Sequence, residues 1–390
     1  MPPASDHFDL IRACCIHFVH GGVGAGGGGG TGREEIAARV AEVADWEGLV
    51  RAAALHGVAP LVAREAVSVA GDAIRADGRD ILRHAERRAA LNGLAAVQQM
   101  AGLARGFEEA GVAALPYKGP LLALDAYGDV AMREYLDLDF VVPPADVERA
   151  VAVLAQAGYS PAGRQDWRAA RFGNEWTAQV SFTCPGGALP VELHWRFCDL
   201  KLPWNPDVTA VFARARERGL AGARVRIPSR EDQLLLVLLH AARHAWDRLD
   251  AFACAGALLA GGVDAPELIE RAASVGGTRA LLVGMAAASR LIGVALPAEI
   301  RAGIAADRAV APLAADAEAR ARRGGGDARR QARLHLALLS SAGARARYLS
   351  LAAITPTAAD VEAVPLPGAL RFFYPVVRVA RIALRGVARR

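Results

Sequence analysis

The hydrophobic period changes twice along this chain, and that confines any sheet to its middle. From Arg33 to about Ala110, apolar residues recur at helical spacing. Ile36, Val40, Val43 and Trp46 come first, then Leu82, Ala89, Leu91, Leu94 and Val97. Gly57-Val58-Ala59-Pro60 ends one helix and starts the next. Between residues 111 and 200 the period shortens. Residues 112–117 read as a strand, and residues 136–142, stopped by Pro143-Pro144, as a second. Residues 145–158 read as an amphipathic helix. Residues 177–184 and 189–197 straddle Pro185-Gly186-Gly187 as a hairpin. After Pro203 helical spacing returns, with Ser229-Arg230-Glu231-Asp232 as a helix start. The expected class is α+β: a small mixed-sheet module embedded in N- and C-terminal helical regions.

A length of 390 residues suggests two or three domains. The expected division is a flexible Gly-rich tail over 1–32, a helical region over 33–110, a core over 111–202 and a helical domain over 203–390. Gly21 to Gly32 is nearly all glycine and has no Gly-Lys-Ser/Thr ending, so it reads as a linker and not as a phosphate-binding P-loop. Hydrophobic residues at 53% and charged residues at 22% support a large core and exclude wholesale disorder. A formal net charge of +5 permits polyphosphate or an anionic surface as partner without requiring nucleic acid. Five cysteines with no CxxC pair read as reduced thiols, which points to a cytoplasmic protein. No apolar run reaches the ~18 residues of a membrane span, and the first residues do not read as a signal peptide.

The chemistry concentrates in the sheet module. Asp137 and Asp139 alternate with Leu136, Leu138 and Phe140, so the two carboxylates share one strand face. Adjacent carboxylates repel, and a divalent metal supplies the countercharge; taken alone, the pair also fits chance surface acids. In Glu192-Leu193-His194-Trp195-Arg196, Glu192, His194 and Arg196 share the other alternating face. Glu192 beside the first pair would complete a two-metal site for phosphoryl transfer; the plainer alternative is a charged solvent face. His194 is placed to bind substrate phosphate or to orient a ligand. Lys118-Gly119 sits at a strand-to-helix turn, where backbone N–H groups and an ammonium suit phosphate. Lys118 and Lys201 are the lysines among 46 basic residues, which makes a lysine at this turn conspicuous. Arg133 either faces the same cavity or solvates a loop. His240 and His244 lie one helical turn apart without an HExxH, and read as core, interface or acceptor-contact histidines. With no GxSxG and no Cys/His pair, nucleophilic hydrolase chemistry has no support.

Lys118-Gly119, Tyr127-Gly128, Arg133 and Asp137-Leu138-Asp139-Phe140-Val141-Val142 together resemble the uncharacterised nucleotidyltransferase family of the polymerase-β-type fold. The set is also similar to the nucleotidyltransferases of abortive-infection toxin systems. Asp45-Trp46, His56 to Leu61, Val191 to Arg196, Leu239-His240 with His244, Trp246 and Arg248-Leu249, and Phe373-Tyr374-Pro375 with Arg378 extend the resemblance from Glu34 to about Arg385. The resemblance implies that Asp137, Asp139 and Glu192 hold two Mg2+ ions. It also implies that Lys118 and Gly119, with Arg133 and His194 nearby, contact an NTP, with ATP the expected donor. The implied reaction transfers NMP to an unidentified acceptor and releases pyrophosphate. The sequence departs from the pattern in three places. Pro120 removes a backbone donor from the phosphate loop, the third acid is Glu, and Cys254 stands where an acid is expected. Two rival readings are a non-catalytic nucleotide-binding scaffold of the same fold and a toxin-like enzyme nucleotidylating RNA or protein. Near the end of the sequence, Arg378, Arg381, Arg385 and Arg389 recur at helical spacing, with Phe372, Phe373, Val376, Val379 and Leu384 largely elsewhere. Such a helix can make peripheral contact with an anionic membrane, or pack with a solvated arginine face.

Overall fold

The computed structural model describes residues 5–21, 29–162, 178–324 and 328–387. The fold is α+β. Helices α1 (Ser5–Gly21), α2 (Gly29–Glu42), α3 (Trp46–Leu55), α4 (Ala59–Ala70) and α5 (Ala76–Glu109) lead into the sheet region. Strands β1 (Leu115–Pro116), β2 (Leu138–Val141), β3 (Ser160–Pro161), β4 (Gln179–Thr183) and β5 (Val191–His194) form one sheet in the order β1-β2-β5-β4-β3. β2 and β5 are parallel, and the other neighbours are antiparallel. Helix α6 (Gly119–Tyr127) follows β1 and α7 (Val147–Gln156) follows β2.

Strand alternation divides the sheet into two faces. Leu138 and Phe140 of β2, Val180 and Phe182 of β4, and Val191 and Leu193 of β5 fill one core with α5 and α7. Phe107 of α5 meets Phe140 edge to face, ring centroids 5.2 Å apart. Val141 turns to the other face, where Tyr117, Val211 and Leu236 form a smaller cluster. The helix Arg230–Arg243 contributes Leu236 and lies over this second face. Ser229 caps it, its side chain accepting from the N–H of Asp232.

The strands are shorter than their sequence pattern suggests. β2 begins at Leu138, so Leu136 precedes it and is 73% exposed, not packed with Leu138 and Phe140. The alternation of β5 ends at His194, before Arg196. The first residue of the predicted 177–184 strand lies outside the described residues. A second sheet, β6 (Arg216–Leu220) with β7 (Ala223–Ile227), stands within the stretch expected to be helical. Ala221 and Gly222 both have positive φ, the requirement of a tight two-residue hairpin. Val225 and Ile227 drop into the core beneath the main sheet, while Arg224 and Arg226 face out.

The start of the chain also needs correction. Most of the predicted glycine linker, residues 22–28, lies outside the described residues. The residues before it are not a flexible tail. α1 buries Phe8, Ile11, Cys14, Cys15 and Val19, spaced three or four apart, against helices from both ends of the chain. Arg12 donates to the Leu291 carbonyl at 3.4 Å, and His17 Nδ1 lies 2.5 Å from Glu65 Oε2. Ile11 is fully buried, so Ile11→Ala is expected to destabilise the protein by about 2–5 kcal/mol. Urea unfolding checks this, and a change within experimental error would return α1 to a loosely attached role.

The C-terminal end of the helix Arg230–Arg243 is fastened by the helix Ala328–Leu338. Gln331 donates to the Arg243 carbonyl. His335 Nε2 lies 3.1 Å from the same carbonyl and its Nδ1 3.1 Å from the Tyr348 hydroxyl. A carbonyl only accepts, so Nε2 carries the proton and Nδ1 accepts from tyrosine. Burial pushes His335 down to about 4, despite the opposing pull of the carbonyl. The stability it contributes is therefore present above the ordinary 6.5 and is lost as pH falls toward 4. Wild type is expected to lose about 2 kcal/mol more than His335→Gln between pH 7.5 and pH 5. Paired urea titrations at the two pH values read the difference, and equal losses would remove the assignment.

Candidate active site

Parallel pairing puts the acids together. In the β2–β5 register Asp139 lies beside Glu192, and Val141 beside His194. Asp139, Glu192 and His194 point away from the Leu138–Phe140 core, toward the helix Arg230–Arg243. A ligand atom from each of the three lies within 4.8 Å of the others. His194 Nε2 is 2.9 Å from Asp139 Oδ1 and 3.4 Å from Glu192 Oε2. That nitrogen carries a proton, and the Tyr117 hydroxyl lies 3.3 Å from Nδ1. Antiparallel β4 completes the arrangement from the other side. Gln179 donates to Glu192 Oε2 at 2.5 Å and Ser181 to Oε1 at 3.3 Å.

Lys118 stands at the strand-to-helix turn, where the sequence places it, and lines the cavity beside a carboxylate. Lys118 Nζ donates to Asp139 Oδ1 at 3.2 Å. It is the N-cap residue of α6, whose first residue, Gly119, has φ +66°. Glycine alone takes that conformation at little cost, and a Cβ here would also press on Met100. Pro120 follows within the first turn, where its missing N–H interrupts no intrahelical bond. The helix start is thus compatible with Pro120, though one donor fewer faces the turn.

Lys118, Gly119, Asp137, Asp139 and Glu192 line a cavity of about 460 Å³ whose opposite wall includes His240, Arg243 and His244. Arg133 also lines it and lies 3.9 Å from Asp250. Asp250 in turn pairs with Arg248 at 3.4 Å, so an acid does follow the Arg248-Leu249 segment, four residues before Cys254. Arg248 crosses directly over Gly57, where any side chain would collide with it. Beyond the helix Arg230–Arg243 the chain turns through Ala245 (φ 62°) and Trp246 (φ 52°). Two consecutive non-glycine residues in the left-handed region carry strain of about 1–3 kcal/mol each. This turn brings Trp246, Asp247 and Arg248 to the cavity wall.

Electrostatics separates the two aspartates. Burial alone would raise Asp139, but the Lys118 charge and the hydrogen bond and charge of His194 outweigh it and hold the carboxyl well below its usual range. Glu192 is likewise lowered: the His194 hydrogen bond and charge overcome burial and the repulsion of Asp139. Asp137 has no comparable support. Burial, then the charges of Asp139 and Glu192, push it up to about 6. His240 is lowered by burial, by Lys118 and by His244, and stands as a neutral imidazole in the wall. The donors available are carboxylate oxygens, with the His194 ring beside them, gathered around an unrelieved negative charge, and this set fits a divalent cation.

The structure therefore brings Asp139, Glu192, His194 and Lys118 into direct contact and sets Asp137, Gly119 and Arg133 on the same cavity. Sequence reasoning passed over Gln179, Ser181, Tyr117 and Asp250. The first two were available from the hairpin, since Ser181 pairs with Glu192 and Gln179 with His194.

A buried acid cluster on a small mixed sheet, with a lysine at a glycine turn and a helix across the cavity, is the setting of metal-assisted phosphoryl chemistry. The uncharacterised nucleotidyltransferase family matches residues 42–293, and the chain belongs to that family. Phe373-Tyr374-Pro375 falls beyond the matched residues. No curated protein and no solved structure matches the chain.

The asymmetry between the aspartates has a measurable consequence without any cation. Asp139→Asn leaves Lys118 and His194 facing a neutral amide in a buried site, and is expected to cost about 1–3 kcal/mol in chelator. Asp137 has a folded pKa above its ordinary value, so its charge at pH 7 opposes folding. Asp137→Asn should be neutral or stabilising. Thermal melts in chelator distinguish them, and equal losses in both variants would refute this account of the site.

Proposed function

We propose that the protein transfers a nucleoside monophosphate from an NTP to an acceptor, with release of pyrophosphate. The observation that carries this reading is the convergence of Asp137, Asp139 and Glu192 with Lys118 on one cavity wall, in a chain of a nucleotidyltransferase family. An acceptor oxygen would attack the α-phosphorus, the bond to the β-phosphate oxygen would break, and the acceptor's proton would pass to solvent. Bound at the three carboxylates, two Mg2+ ions would supply positive charge to the reacting phosphate and to the leaving pyrophosphate.

The residues of the chain divide the remaining work. Both oxygens of Glu192 accept hydrogen bonds, and its acidity is kept strong. This suits holding a cation more than taking a proton. With cations on Asp139, Lys118 would be released to phosphate oxygens at the N-terminus of α6. Arg133, Arg243 and Arg248 line the same space and would neutralise the remaining polyphosphate charge. His240, neutral and opposite the acids, would face the acceptor.

ATP is the donor to test first. Lys118→Ala should raise the Kd of Mg·ATP about tenfold or more, the scale of a charge-assisted hydrogen bond. Glu192→Gln should keep that Kd within a few-fold and lower turnover about a hundredfold or more. Calorimetry with each of the four Mg·NTPs and a pyrophosphate-release assay read these effects. Failure of every NTP to bind would overturn the proposal, and binding without pyrophosphate release across acceptor classes would favour a nucleotide-binding scaffold.

A further inference from the structure

The last helix is turned the wrong way for a protein surface in water. An ordinary surface helix buries its apolar stripe and shows its charges. In the helix Tyr374–Val387, Arg378 and Arg381 turn inward to the fully buried Asp360, Arg378 at 3.4 Å. The outward side is apolar: Val376 is 63% exposed and Leu384 68%, with Val379 and Ile382 also exposed. Phe372, 68% exposed, and Phe373 extend this surface at the helix entrance. The inverted orientation is fixed by the ion pairs to Asp360, whose own segment is tied by Thr357. Among the described residues nothing covers this apolar face, and it lies outside the family match.

Charge identifies what would cover it. Residues 341–390 hold eight arginines and two acids, Asp360 and Glu362, a surplus of six in a chain whose net charge is +5. One of those acids is buried and already shared by two arginines. A second copy of this chain would bring two such surpluses together. An anionic bilayer would instead receive the apolar face at its acyl boundary, and its charge complements the surplus of this segment. No helix among the described residues is long and apolar enough to cross a membrane; the contact is with one surface.

We propose that the face formed by Phe372, Phe373, Val376 and Val379 docks the protein on an anionic lipid surface, independently of what the cavity catalyses. The test is flotation of the full chain with vesicles of phosphatidylcholine alone or with about one-third phosphatidylglycerol. The bound fraction should be about tenfold or more higher on the anionic vesicles and should fall in high salt. Val376→Asp combined with Phe373→Ser should lower it about tenfold. These positions are exposed, so melting temperature and Mg·ATP binding should not change. Absence of binding to anionic vesicles, or binding that the double variant retains, overturns the proposal. A dimer in light scattering that the same substitutions dissociate would also overturn it, by assigning the face to self-association.

Discussion

The parallel pairing of β2 with β5 is the constraint on which the site rests. Hydrophobic alternation buries Leu138, Phe140, Val191 and Leu193 on one face, so Asp139 and Glu192 must emerge together on the other. Two like charges in register on a half-buried sheet are unfavourable. The surrounding side chains answer that cost with Lys118, His194, Gln179 and Ser181. Asp137, one residue ahead of the strand, receives no such help and keeps an elevated pKa. The site is thus balanced at Asp139 and unbalanced at Asp137, and a cation bound there would relieve the second and compete with Lys118 at the first.

Legibility from sequence followed the range of the interactions. The split of Leu138 and Phe140 from Asp139, and of Leu193 from Glu192, is local alternation and can be read from one strand. The adjacency of β2 and β5 cannot, because the strands are some fifty residues apart and joined through α7, β3 and β4. The meeting of Lys118 with Asp139 is non-local in the same way. Its charge pointed equally well to phosphate, and the structure shows it holding a carboxylate. The β6–β7 hairpin was hidden by its four arginines, of which Arg216 and Arg218 turn to the buried side chain of Asp125, although Ala223-Arg224-Val225-Arg226-Ile227 does alternate. For α1 the glycine run that follows drew attention away from the spacing of Phe8, Ile11, Cys14 and Cys15. For the last helix, the sequence separates arginines from apolar residues, but the side that faces the protein is set by the pairing with Asp360 and the burial of Tyr374.

α5 joins these parts. Over its 34 residues it runs from the helical core, where Gly78 lies against Trp46, to the sheet, where Met100 and Phe107 are buried. The Gly119 turn rests on Met100 as well. The wall carrying Lys118 is therefore supported by the same helix that organises the N-terminal region, and α5 also meets the acid strand directly where Phe107 packs on Phe140.

The placement of α1 has a consequence for how the chain is made. Its buried residues pack against helices that lie far later in the sequence, and Arg12 and His20 bond the carbonyls of Leu291 and Ile292. α1 can meet α2 and α4 early, but its remaining cover, from helices beyond residue 250, comes only after the sheet region between them. Until about residue 292 has emerged, Phe8, Ile11 and Val19 lack part of their cover, and closing so long a loop is slow. During that interval α1 keeps part of its apolar side open, so its place in the core is settled only as the second helical region folds.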